Sequence, residues 1–293
     1  MTTTQTTAPT KVNTVETIMN DARVRQRFEG MLKDKAAHFI SSLLTVWKQK
    51  LSDCEPWSVV QSAGIAASLE LPIIPSLGYA AIVPYRESGK PIATFQMQWK
   101  GYVQLALRTN QYEKINVSEV YDDEFISWNP IANEFFYRPP SEWKNRYKED
   151  GKHDHVVGYV SYFVLLNKFR HYYYMTKDEI MAHGKRYSAG FRKGKGLWVE
   201  NPHVMCMKTP IKLNLNKFGI LSVDLQRAMK YDSALLLPPP QGQEIESLNE
   251  PVVAEAESET EPPIAEPQEK KPDAPTAPTE APKDYAAPAQ KTK

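Results

Sequence analysis

Cysteine is scarce: the chain of 293 residues has two, Cys54 and Cys206. That rules out a disulfide framework and a cysteine-rich zinc site, and it fits a reducing cytoplasm. Long apolar runs are missing too. None approaches the ~18–20 residues needed to cross a bilayer. The opening MTTTQTTAPTKVNT has no basic segment leading into an apolar one, so no secretory signal is expected. There is no G-x-x-x-x-G-K-[ST], and no G-x-G-x-x-G after a strand, which argues against a nucleotide motor. Gly194-Lys195-Gly196 is too short to cradle phosphates. G-x-S-x-G and H-E-x-x-H are also absent.

What is present is divided unevenly. From Pro238 to Lys293 there are five Lys against twelve Asp and Glu, a net charge of −7. Residues 1–237 therefore hold 31 basic and 23 acidic residues, a net of +8. The same C-terminal stretch carries 12 of the 23 prolines and a single aromatic, Tyr285. The sequence thus predicts a disordered, Thr-rich segment over 1–12, one domain over 13–237 and an acidic, proline-rich disordered tail over 238–293. A body of that size can bury a full core without staples.

Apolar positions Phe28, Met31, Leu32, Phe39, Leu43, Val46 and Trp47 recur at three- and four-residue steps, predicting helices in stages from Thr14 to Lys50. Pro56 suits the first position of a second helix, which Pro72 must stop. Tyr79–Tyr85 and Ile92–Gln98 read as strands either side of the turn Glu87-Ser88-Gly89-Lys90, and Pro84 suggests an edge. Trp99–Arg108 reads as a helix and Tyr112–Val120 as a strand. Residues 121–154 read as irregular, broken by Asn129-Pro130 and Pro139-Pro140. Val156–Leu166 and Phe169–Met175 should pair around Asn167-Lys168. Thr176-Lys177-Asp178-Glu179 is a capping box opening a helix that ends near Gly184. Tyr187–Leu197 is a Gly-, Lys- and Arg-rich loop. Asn201-Pro202 opens another helix, and a last one follows Ser222. Helices, then antiparallel strands, then helices argue for an α+β fold: a compact antiparallel hairpin-and-sheet core packed with helices.

Two clusters raise the question of a metal, Asp122-Asp123-Glu124 and His153-Asp154-His155. Adjacent carboxylates on one strand point to opposite faces, and the histidines follow a polar turn. A solvated strand end and a surface loop account for both, and no metal site is expected. Cys54 and Cys206 read as small core residues.

The basic residues are more informative because of their neighbours. Lys100 lies between Trp99 and Tyr102 at a strand-to-helix junction, and Arg108 follows two turns later. Lys185, Arg186, Arg192, Lys193 and Lys195 fall within eleven residues, interleaved with Tyr187 and Phe191 and followed by Trp198. Lys208 and Lys212 are spaced to share one helical face, with Lys217 beyond them. Lys and Arg neutralise phosphates, and flat rings beside them stack exposed bases. Each group alone could be an ordinary solvated surface. Together with the +8 body they point to a polyanion ligand.

Ser58–Tyr112 reads SVVQSAGIAASLELPIIPSLGYAAIVPYRESGKPIATFQMQWKGYVQLALRTNQY. This order of motifs resembles the RecT family of phage and prophage single-strand annealing proteins. It is similar to the family's helix, Leu/Pro break, "GYAYLIPY"-like strand, hairpin, "GYKG" segment and helix ending in "RSG". Downstream, Met175–Ile180, the basic loop ending at Trp198, Met205–Lys212 and Ala228–Asp232 follow the family's second half, so that the resemblance spans roughly residues 15–235. The family's basic residues fall on Lys100, Arg108, Lys208 and Lys212. There are departures: "RSG" is Arg108-Thr109-Asn110 here, the family's Gly-Leu before the proline is Glu70-Leu71, and the Arg-rich run after "KT" is thinner, with Leu213-Asn214 following Lys212.

The resemblance implies ATP-independent annealing of complementary DNA strands, with no catalytic residue and no cofactor; a divalent cation would at most modulate DNA binding. It implies a homo-oligomeric ring or helical filament that holds single-stranded DNA and the annealed duplex in a basic groove. It also implies a phage exonuclease partner and a host single-strand-binding protein partner, the latter engaged through the C-terminal region. The DNA contacts expected are Lys100, Arg108, Lys185, Arg186, Arg192, Lys193, Lys195, Lys208, Lys212 and Lys217, with Trp99, Tyr102, Phe191 and Trp198 stacking. On this reading Lys208→Ala weakens DNA binding and lowers its salt dependence. The alternatives are a coating protein that binds single strands without pairing them, and a metal-dependent nuclease. The tail reads either as a solubilising segment or as an arm that docks partners or competes with DNA.

Overall fold

Thr14 opens the first helix. Its hydroxyl accepts from the Thr17 amide, while the Thr17 hydroxyl accepts from the Thr14 amide, a reciprocal cap that satisfies two free donors. From there the computed structural model describes residues 14–86, 91–148 and 153–254. The expected disorder of 1–12, the turn 87–90 and most of the expected tail lie outside the described residues.

Helices α1 (Val15–Met19), α2 (Ala22–Leu32) and α3 (Ala36–Val46) bury Phe28, Leu32, Phe39, Leu43 and Val46 of the expected periodic positions, together with Val15 and Val24, while Met31 is half-buried, and a π turn over Trp47–Leu51 ends this run. Helix α4 (Pro56–Ser68) has Pro56 at its first position, and the Glu55 carboxylate accepts from the Trp57 and Ser58 amides. Ten of its thirteen residues are buried, which makes it the central helix of the core.

Strands β1 (Ala80–Tyr85) and β2 (Ile92–Met97) pair antiparallel as a separate ribbon, with Pro84 opposite Ala93. Helix α5 (Trp99–Arg108) and strand β3 (Tyr112–Tyr121) follow. The stretch expected to be irregular contains a further hairpin, β4 (Phe125–Asn129) with β5 (Glu134–Tyr137). Strands β6 (Val156–Leu165) and β7 (Arg170–Thr176) complete a three-stranded antiparallel sheet in the order β3-β6-β7. The capping box at Thr176 opens α6 (Lys177–Tyr187), which runs three residues beyond the expected stop. Two short helices, α7 (Ala189–Arg192) and α8 (Leu197–Glu200), lie within and after the basic loop. Helix α9 (Pro202–Phe218) starts on Pro202, although the Asn201 side chain makes no capping bond. Ser222 caps α10 (Val223–Tyr231) through the Leu225 amide. The fold is the expected α+β arrangement. Among the described residues no helix is long and apolar enough to cross a membrane.

The sheet's two faces have different coverings. Tyr159, Ser161 and Phe163 face α9, and the Asn214 amide of that helix donates to the Ser161 carbonyl at 3.2 Å. On the other face the β4–β5 hairpin lies over β7, where Phe125 stacks on Tyr174 at 5.1 Å. The hairpin is followed by a strap over 138–148. Asp123 accepts from the Lys144 and Asn145 amides at 2.7 and 2.8 Å, and Arg146 Nη2 donates to Glu124 at 2.8 Å.

The chain after Leu237 is part of this body. The Leu237 amide donates to the Val252 carbonyl and the Ala254 amide to the Leu235 carbonyl, both at 2.8 Å, while Leu248 is fully buried beside Gly64. The sequence-based boundary at 238 is therefore too early. Proline and acid content masked a segment in which Leu248 joins the core and Ile245 and Val253 pack against it.

Candidate nucleic-acid interface

Lys208 and Lys212 stand one turn apart on α9 and reach the same carboxylate. Asp232, just after α10, accepts from Lys208 Nζ and the Met97 amide on Oδ1, at 2.8 and 3.0 Å. Its Oδ2 accepts from the Tyr102 hydroxyl and Lys212 Nζ, at 2.8 and 2.9 Å. Burial works against the Asp232 charge, but the two ammonium groups outweigh it and hold the carboxyl far below its ordinary range. This network ties β2, α5, α9 and α10 together at one buried point.

Two expectations change here. The Lys208 side chain is 6% exposed and Asp232 0%, so Lys208 is a buried ion-pair partner and not a groove cation. Tyr102 is fully buried, its hydroxyl spent on Asp232, so it offers no face for a base. The Lys212 side chain is 25% exposed, with its ammonium held by the same carboxylate.

Arg108 is exposed, yet its guanidinium donates to the carbonyls of Leu69 and Glu70 at 2.6 and 3.0 Å. It thereby satisfies the open end of α4. Asn110 has φ +53°, the left-handed position expected of it in place of the family's glycine. Lys100 is exposed, its Nζ 5.7 Å from the half-buried Trp99 ring. Gly101 cannot carry a side chain, because a Cβ there would meet the Tyr79 carbonyl at 2.3 Å.

The basic loop keeps its charge available. Lys185, Arg186, Arg192, Lys193 and Lys195 are all exposed, and none has a carboxylate partner among the described residues. Arg192 Nη1 donates to the Lys185 and Arg186 carbonyls, fastening α7 to the end of α6. Gly194 and Gly196 take φ of +67° and +82°, the left-handed region that lets the loop reverse between Lys193 and Leu197. Phe191 stacks on Trp198 at 5.3 Å, and Trp198 packs so closely on Gly184 that a Cβ there would lie 2.8 Å from the ring. Trp198 is 8% exposed, a third correction: it anchors the loop and does not stack bases. Lys217 is exposed at the far end of α9, over Tyr173 at 5.7 Å. With about 1.5 Å per residue, the loop and Lys217 lie at opposite ends of a helix roughly 25 Å long. The expected cations therefore do not merge into one patch in a single copy.

The two acidic and histidine clusters do meet. His155 Nδ1 lies 3.2 Å from Asp122 Oδ2, and Asn145 donates to Asp122 at 2.6 Å. Burial opposes the Asp122 charge, but these hydrogen bonds prevail and hold it below the usual carboxylate range. Asp123 and Glu124 are spent on the strap, and no group of three potential metal ligands occurs among the described residues. Cys206 is a buried core residue whose thiol burial pushes up to about 11.

Sequence reasoning missed the rings gathered by the hairpin, where Phe125, Trp128 and Phe135 pack on Tyr172 and Tyr174. The signal was present in two aromatic runs, Phe125–Asn129 and Glu134–Tyr137, either side of a four-residue link, 130–133, that Asn129-Pro130 opens with turn chemistry.

The model of the RecT family matches residues 37–253, well over half of the chain. The chain is also 39% identical over 218 residues to a Bacillus subtilis (strain 168) protein whose recorded name is "Uncharacterized protein YqaK"; the match covers 74% of this chain and 71% of that relative. The family match ends at residue 253, one residue before the last described residue, Ala254.

Proposed function

The chain belongs to the RecT family, whose members anneal single-stranded DNA in recombination, and from that premise we propose that it pairs complementary strands without fuel, its own exposed cations screening the repulsion between them. The observation that carries this reading is the loop Lys185–Lys195, five exposed cations with no neutralising carboxylate among the described residues, on a body whose residues 1–254 hold 31 basic and 26 acidic residues, a net charge of +5. Each phosphate they engage releases condensed counterions, so two strands approach one another at lower cost. Correct pairing then supplies about 1.4 kcal/mol per base-pair step, and selection lies in the pairing.

Because loop and Lys217 are separated along α9, a continuous trough requires neighbouring copies. The proposed working form is a ring or filament in which the loop of one copy extends the basic track of the next. No covalent step is involved, so no catalytic residue and no cofactor are assigned. An exonuclease that generates single strands and a host single-strand-binding protein are the proposed partners.

Mixing two labelled complementary oligonucleotides with the full chain, without nucleotide, tests the reading. Pairing should accelerate. A protein that only coats strands would slow it, and cleaved oligonucleotides in magnesium or manganese would indicate a nuclease.

A further inference from the structure

The face of the β3-β6-β7 sheet turned away from α9 carries a feature that the basic loop does not explain. Phe135 of the hairpin stacks on Tyr172 at 6.0 Å and 26°, and Tyr172 stacks on Tyr162 at 4.3 Å and 22°. Three rings thus form a ladder running from β5 across β7 to β6. It has one closed end, at the hairpin, and one open end, at Tyr162. Among the described residues no other ring packs against Tyr162.

Register shows what surrounds the open end. Tyr162 pairs with Asn116 on β3 as well as with Tyr172 on β7. Asn116 is exposed, so the space above β3 beside the Tyr162 ring is open. Two residues along the strands, on the same face, Val164 pairs with Lys114 on one side and Arg170 on the other. Both cations are exposed and neither forms an ion pair among the described residues; Glu113, which precedes Lys114 and feels its charge, is hydrogen-bonded to Lys168 at 2.8 Å. They stand about two strand spacings apart, roughly 10 Å.

We propose that this sheet face is a base-stacking site for single-stranded DNA, in which a base continues the Phe135–Tyr172–Tyr162 ladder beyond Tyr162 while Lys114 and Arg170 hold its flanking phosphates. The occupant follows from charge and shape together. An unneutralised cation pair calls for an anion, and an unfinished stack of flat rings calls for another flat ring; a single strand brings both in one repeat. Duplex DNA, its bases already stacked, cannot supply the ring. The Asn116 amide lies where it can meet a base edge with either a donor or an acceptor, which suits a site that tolerates every base. The inference rests on the annealing reading and deepens it: the loop would screen phosphates, and this face would hold bases unstacked and open to a partner strand.

The test uses the full chain and oligothymidylate carrying 5-iodouracil. Irradiation should crosslink Tyr162. Tyr162→Leu should weaken oligothymidylate binding roughly five- to a hundred-fold, the range for losing one stacked base, with the salt slope unchanged. The surface pair Lys114→Gln and Arg170→Gln, which leaves the ladder intact, should lower that slope by about 1.4, or 0.7 for each phosphate released. If crosslinks fall only in 185–198 and both variants bind like wild type, while wild type still anneals, the sheet-face site is wrong and the annealing reading survives. If Tyr162→Leu instead alters sedimentation without DNA and leaves affinity unchanged, the face is a subunit contact and the proposal fails. A wild-type chain that does not bind oligothymidylate overturns both readings.

Discussion

Lys208 Nζ lies 2.8 Å from Asp232 Oδ1, in a site where neither side chain exceeds 6% exposure. Two of the most recognisable stretches of the chain, Met205–Lys212 and Ala228–Asp232, meet there. Their charges face inward, on each other.

Removing one side of that pair leaves a buried charge incompletely matched. Lys208→Ala should therefore destabilise the protein by about 3 kcal/mol, the low end of the range for breaking a buried pair, because Lys212 still contacts the carboxylate. Denaturant midpoints would measure it. Whatever fraction stays folded should bind DNA with an unchanged salt slope. A Lys208→Ala protein of wild-type stability with a reduced slope would put Lys208 back on a phosphate.

Two glycines give a matched comparison. Gly101→Ala drives a Cβ to 2.3 Å from the Tyr79 carbonyl, a backbone atom that cannot yield, and should cost 2 kcal/mol or more, at about the upper range of overpacking. Gly30, in α2, has nothing within 4 Å, so Gly30→Ala should stabilise by about 0.5–1 kcal/mol. Melting temperatures moving in the same direction would contradict this assignment.

Helix starts were legible in the sequence because their signals are local. Thr176 with Glu179, Ser222 and Pro56 all mark real helix starts. Strand pairs were legible where apolar runs flanked a short link, as at Asn167-Lys168. The exposure of individual cations was not legible. Lys193 and Lys208 look alike in sequence, and what separates them is Asp232, 24 residues beyond Lys208, brought in by tertiary packing. The same holds for Trp198, which reads as a stacking ring until Gly184 opens a place beneath it. The β4–β5 hairpin was hidden because its strands are only five and four residues long, with Pro130 in their link and Pro139 after the second.

The fold's C-terminal boundary can be tested by truncation. A chain ending at Leu237 loses the fully buried Leu248 and the Leu236–Val253 bridge, whereas one ending at Ala254 keeps both. Burial of one leucine contributes about 1.5–3 kcal/mol, so the shorter chain should be less stable than the longer one by at least that amount in matched urea titrations. Equal midpoints would return the boundary to 238.

His171 should make stability depend on pH, and the geometry determines its working tautomer. The Asn133 side chain is oriented by the β7 backbone: its Oδ1 accepts from the Tyr172 amide and its Nδ2 donates to the Tyr172 carbonyl, both at 2.8 Å. The same Nδ2 faces His171 Nε2 at 3.0 Å, so Nε2 must accept. On the other side Asn214 donates to the Ser161 carbonyl, which leaves its Oδ1 to accept from His171 Nδ1 at 2.9 Å. Only the neutral ring satisfies both neighbours. Protonation would set two donors against each other where the hairpin's link meets β7. Burial lowers the His171 pKa, with the Asn214 bond opposing it. The folded state then takes up its proton at lower pH than the unfolded chain. The contribution is complete above the unfolded value of about 6.5 and is lost as pH falls through the window below it, with a slope of at most ~1.4 kcal/mol per pH unit. His203, lowered by burial and by its neighbour His153, adds a second contribution of the same sign. His171→Gln should start from lower stability at pH 7.5 and lose less of it on acidification to pH 5.5 than wild type does. Parallel stability curves for the two proteins would show that His171 does not carry the dependence.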